Sequence, residues 1–243
     1  MPLVLRRTAE AVYLVGAAGG PVGGDRLELR IEVRAGAVLR LRTVAATVVL
    51  PGPSGAESVL TVTASVGAGG TLEYLPEPTV VADGARHLTD ISVDLAAGAS
   101  LVLRDELVLG RHNERGGAGR TRLRVDYGDT PLLRHEVAVD GTDEISLGPA
   151  ILAGRRAYGT VLLAGTEIPA GRAVPGVAVM PLAGPGVLVS ALATDSLMLR
   201  RDLAAALGCA MLPLQLWTAR CFRSICPLAL RRRVTGSPLA TAR

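Results

Sequence analysis

Apolar and charged residues alternate strictly along Leu27-Glu28-Leu29-Arg30-Ile31-Glu32-Val33. A period of two sends one set of side chains into a core and the other into water, and so predicts a strand. A Gly36-Ala37 turn follows, then a second alternating run, Leu39-Arg40-Leu41-Arg42. The theme returns as Leu60-Thr61-Val62-Thr63 before Gly69-Gly70-Thr71-Leu72, and again as Ile91-Ser92-Val93-Asp94-Leu95 before Gly98-Ala99-Ser100-Leu101. The turns recur after 33 and then 29 residues. A spacing near 30 is that of stacked repeats, in which no unit buries its apolar face alone. The uneven period predicts a mainly β chain built as an irregular β-solenoid, a β-helix-like stack of strands, although hairpins turned by glycine would show the same local pattern.

Strand signals continue through Arg122-Leu123-Arg124-Val125 and Glu136-Val137-Ala138-Val139 and then weaken. One helix is predicted, Asp195 to Leu207, with Leu199, Leu203, Ala206 and Leu207 on one face, Thr194 or Asp195 as N-cap and Gly208 as the stop. It is expected to close a folded body of residues 1–208. Residues 209–243 form a basic, Cys-containing extension, expected to be poorly specified and in part disordered.

Composition narrows this picture. Nearly half of the 243 residues are apolar but only six are aromatic, so the core must be built from Val, Leu and Ala. All 26 cations are arginines; 20 of them stand in residues 1–208 against all 22 acids, while the extension holds six and no acid. The basic balance therefore belongs to the tail, and the body carries no nucleic-acid footprint. Cys209, Cys221 and Cys226 also lie in the tail, so the body needs no disulfides, which fits a reducing cytoplasm. The apolar run Ala11 to Ala18 is short for a signal peptide and adjoins Glu10. The uncharged stretch Ala173 to Ala193 is broken by Pro175, Pro181 and Pro185, so buried strands and turns are expected there rather than a membrane helix.

No catalytic motif is present. Ser54 sits in a Pro-Gly-Pro-Ser-Gly turn rather than a nucleophile elbow, and Gly19 to Asp25 lacks the Lys and hydroxyl of a phosphate-binding loop. His87, His112 and His135 are isolated, and Cys221 and Cys226 lack a second pair, so neither set has zinc spacing. The loop Gly110 to Arg120 is read as a flexible connection, since it has no aromatics for stacking bases. The remaining polar resource is carboxylate: Glu73, Glu77, Asp83, Asp105 and Glu106 lie at or beside strand ends, where oxygen ligands would suit transient rather than permanent metal binding. Solvated charges would give the same pattern. An enzyme using Glu73 or Glu106 as an acid or base is a minor alternative.

Several pieces, in order, resemble the family of the urease accessory protein UreD, also called UreH. They are Gly20-Pro21-Val22-Gly23-Gly24-Asp25-Arg26-Leu27, Gly36-Ala37 with Leu41-Arg42-Thr43-Val44-Ala45-Ala46-Thr47, Leu72-Glu73-Tyr74-Leu75-Pro76-Glu77-Pro78, and Gly98-Ala99 leading to Glu106 and Gly110-Arg111. The family's Thr-Lys-x-Tyr-like element is here Thr47-Val48-Val49-Leu50, and its Gly-Glu pair is Gly116-Gly117. The resemblance implies a non-enzymatic scaffold that binds apo-urease, joins UreF-like and UreG-like proteins and assists nickel delivery, with no tightly bound cofactor and only transient nickel. It also implies a polar nickel passage, for which Glu73, Asp83 and Glu106 are the candidates, and partner contacts, for which Tyr74 and Arg111 are. The competing expectation is a β-solenoid binding module for carbohydrate or another surface.

Overall fold

The computed structural model describes residues 3–165, 176–207 and 229–233. Two hairpin strands, β1 (Leu3–Arg7) and β2 (Val12–Gly16), open the chain, so the apolar N-terminal run is sheet. The alternating segments then become β3 (Arg26–Val33), β4 (Val38–Thr43), β5 (Thr47–Val49), β6 (Ser58–Val66), β7 (Thr71–Leu75), β8 (Thr79–Val81), β9 (Arg86–Leu95), β10 (Ser100–Leu109) and β11 (Ala118–Tyr127). Strands β3, β6, β9 and β11 lie parallel in one sheet; β4, β7 and β10 lie parallel in the other, with β5 and β8 beside the second half of β10.

The register explains the glycine spacing. Arg26 pairs with Val59 and Val38 with Thr71, a shift of 33; Val59 pairs with Leu88 and Thr71 with Ser100, a shift of 29. Each repeat is therefore one coil laid on the previous one, and the hairpin alternative is excluded, because hairpins pair antiparallel. At the crossing from one sheet to the other, Gly36, Gly69 and Gly98 take φ of 68°, 66° and 77°, which side chains resist. These turns stack directly: a Cβ on Gly69 would lie 4.0 Å from the Gly36 nitrogen, and one on Gly98 3.9 Å from that of Gly69. The prolines after β7 make the corner into β8.

Antiparallel strands end the stack. β12 (Thr130–Asp140) pairs with β11 at the edge of the first sheet; β13 (Ala157–Ala164), β15 (Gly186–Ala193) and β14 (Val177–Pro181) extend the second beyond β10. A single turn, α1 (Glu144–Leu147), is capped by Asp143. Between the sheets lie Leu29, Ile31, Val62, Ile91 and Leu123 against Leu41, Leu72, Leu101, Leu103 and Leu162, the small aliphatic core that composition required. Every residue of β13 is buried because helix α2 (Ser196–Leu207) covers its outer face. Leu199, Leu203, Ala206 and Leu207 are the buried face of α2, and Asp195 Oδ1 accepts from the Met198 N–H at 2.9 Å as a cap.

Three expectations need adjustment or fall elsewhere. The loop between β10 and β11 is packed rather than flexible: the Arg156 guanidinium donates to the carbonyls of Leu109 (2.7 Å), Arg111 (3.1 Å) and Glu114 (2.6 Å), and Gly116 and Gly117 are buried. Within Ala173 to Ala193, β15 is largely buried as expected, whereas β14 is a half-exposed edge strand. The Gly208 stop and the three cysteines lie outside the described residues. Of the extension, β16 (Ala229–Arg233) pairs antiparallel with β3 at the free edge of the first sheet. Among the described residues no helix is long and apolar enough to cross a membrane.

Candidate functional site

Strand alternation decides what each carboxylate in Arg104-Asp105-Glu106 can do. Leu101, Leu103, Leu107 and Leu109 of β10 point between the sheets, so Asp105 does too, while Arg104 and Glu106 point outward. Asp105 pairs in register with Thr160 of β13, and Thr160 with Ser190 of β15, giving a polar row across the inner face of the second sheet. Facing it on the first sheet are Thr121 and its register neighbour Thr89, and the Thr121 hydroxyl donates to Asp105 Oδ2. Tyr74 of β7 and Tyr158 of β13 lie close enough for the Asp105 charge to act on both phenols. Polar side chains thus separate the aliphatic cluster around Leu103 and Leu162 from that around Leu107, Leu109 and Val139.

Asp105 is only 7% exposed, and burial raises its pKa despite the Thr121 hydrogen bond. Burial first, and the Asp105 charge second, raise the Tyr74 pKa; burial pushes that of Tyr158 up to about 12 against the opposing Ser190 hydrogen bond, with the Asp105 charge adding less. At its lateral end the row meets sheet edge β12: Ser190 Oγ donates to the Tyr158 hydroxyl at 3.2 Å, and that hydroxyl lies 2.8 Å from His135 Nε2. His135 is half-buried, and desolvation lowers its pKa.

The outward residues form a separate system. Glu73, 3% exposed, binds Arg40 Nε at 3.1 Å and Arg42 Nη2 at 2.8 Å. Glu106, its side chain fully buried, binds Arg200 of α2 at 2.8 Å and lies 3.5 Å from Arg104, and both arginines also reach Glu77. These pairs tie the sheet face to the helix and the β7–β8 corner. They leave no carboxylate open to a cation, because each oxygen already faces a guanidinium.

The sequence candidates therefore fall in different places. Glu73 and Glu106 point away from the interior, and Asp83 is exposed in the β8–β9 turn, its N–H donating to Glu114 at 3.4 Å. Tyr74 is buried, 4% exposed, and offers no partner surface; Arg111 is exposed and paired with Glu114. Among the described residues no three His, Cys, Asp or Glu side chains gather as a metal cage. The row missed by sequence comes from β10, β13 and β15. Its signal was a lone hydroxyl at an inward position of each apolar strand, Thr160 and Ser190, which nothing local marks as more than a satisfied core residue.

A second interior group is His87. Its Nδ1 lies 2.9 Å from Ser58 Oγ, its Nε2 has no partner, and burial lowers its pKa to about 4. The unfolded imidazole titrates near the ordinary 6.5, so below that pH the unfolded chain binds a proton that the folded one refuses. Stability is then full above pH 6.5 and declines toward pH 4, by about 3 kcal/mol from this group alone. Denaturant unfolding from pH 7 to pH 4 should show that loss in the native chain, and a His87→Gln variant should lack it; equal slopes would exclude His87 as the cause.

Comparison with known proteins bears on the same fold. A family model described as UreD urease accessory protein matches residues 1–235. The chain belongs to the UreD urease accessory protein family. It is 46% identical over 237 residues to the urease accessory protein UreD of Parafrankia sp. (strain EAN1pec), covering 86% of this chain and 80% of that protein. It is 47% identical over 215 residues to UreD of Frankia alni, covering 80% and 72%, and 46% identical over 222 residues to UreD of Streptomyces coelicolor, covering 85% and 86%. The UreD match runs past residue 208, the expected end of the body, and includes β16. Nor do the described aromatics favour a sugar platform: all are tyrosines, and Tyr74 and Tyr158 are buried.

Proposed function

We propose that this chain is a non-catalytic maturation scaffold in the cytoplasm that binds apo-urease together with UreF-like and UreG-like proteins and gives nickel, its cargo, a protected route. The stretch of that route within this chain is the polar layer around Asp105. The observation that carries the assignment is an inward carboxylate, the only one among the described residues, set among hydroxyls between two aliphatic clusters. Oxygen ligands hold nickel loosely enough to release it, as a conduit requires. A structural core would be better served by another leucine, since a buried carboxyl costs stability wherever its hydrogen bonds are incomplete. Glu73 and Glu106 contribute by holding the outer face together.

Co-expression with urease subunits and the other accessory proteins tests the reading. Deleting this chain should leave urease nearly empty of nickel and inactive, and Asp105→Asn should lower nickel per urease severalfold without lowering the thermal midpoint of the scaffold. Unchanged nickel content after deletion would end the scaffold proposal. Full loading with Asp105→Asn would remove the polar layer from the route.

A further inference from the structure

The inner row Asp105, Thr160, Ser190 does not stop inside the sandwich. Asp105 and Thr160 are 7% and 2% exposed, Ser190 is half-buried, and its next register partner, Ala178 of β14, is exposed. The row thus climbs from core to solvent over three adjacent strands, each about 4.8 Å from the next. Where it emerges, β12 is the last strand of the first sheet and faces β13 and β15 of the second. The side chains meeting there are His135, Tyr158 and Ser190, drawn from three strands and two sheets.

Ser190 donates to the Tyr158 oxygen, and with the imidazole as its Nδ1–H tautomer the phenol donates in turn to His135 Nε2. Among the described residues, the imidazole nitrogen at the surface end of the row is held by one neutral, exchangeable hydroxyl and by no carboxylate. Neutral imidazole suits borderline divalent cations such as Ni²⁺, and is a firmer ligand for them than the hydroxyls further in. We propose that His135 is the cation-capturing ligand at the mouth of the polar layer and that the Tyr158 hydroxyl is its cover, displaced when a hydrated divalent cation binds Nε2. Asp105, two strands inward, is the next acceptor. This rests on the nickel-conduit reading above and assigns the side through which the cargo passes.

Binding to Nε2 costs the Tyr158 hydrogen bond, so removing the hydroxyl should strengthen capture. Nickel alone, titrated into the full-length chain, should show an imidazole component in X-ray absorption. His135→Gln should remove that component and weaken nickel binding by at least about tenfold. Tyr158→Phe should tighten it by roughly threefold to tenfold, the worth of one ordinary hydrogen bond. Thermal melts monitor folding of each variant. A seam with only a structural role predicts no tightening, so unchanged or weaker nickel binding by a folded Tyr158→Phe chain would overturn the assignment, as would an imidazole component that survives His135→Gln. The two readings separate cleanly: if His135→Gln leaves nickel binding unchanged while deletion of the chain still empties urease, the mouth is misplaced and the scaffold stands.

Discussion

Glu106→Ala is expected to lower the free energy of unfolding by about 3 kcal/mol, the lower end of the 3–5 kcal/mol seen when one partner of a buried ion pair is removed. The Glu106 side chain has no exposure, and it neutralises Arg104, 16% exposed, and Arg200, 32% exposed. Without it two guanidiniums compete for Glu77, which is itself one-third exposed. Arg200 can turn partly into water, which is why the lower figure applies; Arg104, whose Nε has no hydrogen-bond partner even in the intact protein, cannot. Glu106→Gln should cost less, because its amide oxygen still accepts. Urea denaturation of the three proteins measures this, and a loss under about 1 kcal/mol for Glu106→Ala would mean that the pair does not couple α2 to the sheet. A cycle with Arg200→Ala would isolate that coupling.

An equally large effect is expected from one methyl group at Gly117. A Cβ there would overlap the Ala85 carbonyl oxygen and lie 2.6 Å from that of Ala82, both backbone atoms of the β8–β9 turn. Neither can rotate away, so the β10–β11 loop would have to lift from the coil beneath it. That loop carries the carbonyls gathered by Arg156 and the start of β11, the strand that supplies Thr121 to Asp105. Gly117→Ala should therefore cost about 3 kcal/mol or more, at or beyond the usual range for overpacking. Ala substitution at Gly128, where a Cβ meets nothing but φ is 60°, should cost only about 1 kcal/mol. Chemical denaturation of both variants checks the contrast, and similar small losses would show that the loop moves freely after all.

The runs from Leu27 to Leu101 announced their strands because alternation is local, and the 33- and 29-residue glycine spacing carried the coil register because stacked turns must follow one another at the length of a coil. Helix α2 was legible down to its buried face, since a 3.6-residue period and an Asp cap suffice to define it. The loop after Gly110 differs from its sequence pattern, because its glycines signal freedom in sequence but serve close approach in the fold.

For the site the division is sharper. Residue pattern alone specified a small aliphatic β core, the stacking period, the lack of a recognisable catalytic motif and the ordered motifs shared with UreD. It also determined that Asp105 and Glu106, being adjacent in a strand, must face opposite ways. It took the folded chain to show which faced inward, that Glu73 and Glu106 are claimed by arginines from β4, β10 and α2, and that Thr160, Ser190, Tyr158 and His135 converge on one seam. The physical reason is range. Alternation and turn chemistry act between neighbours along the chain, whereas a buried carboxylate is defined by partners supplied when distant strands come into register.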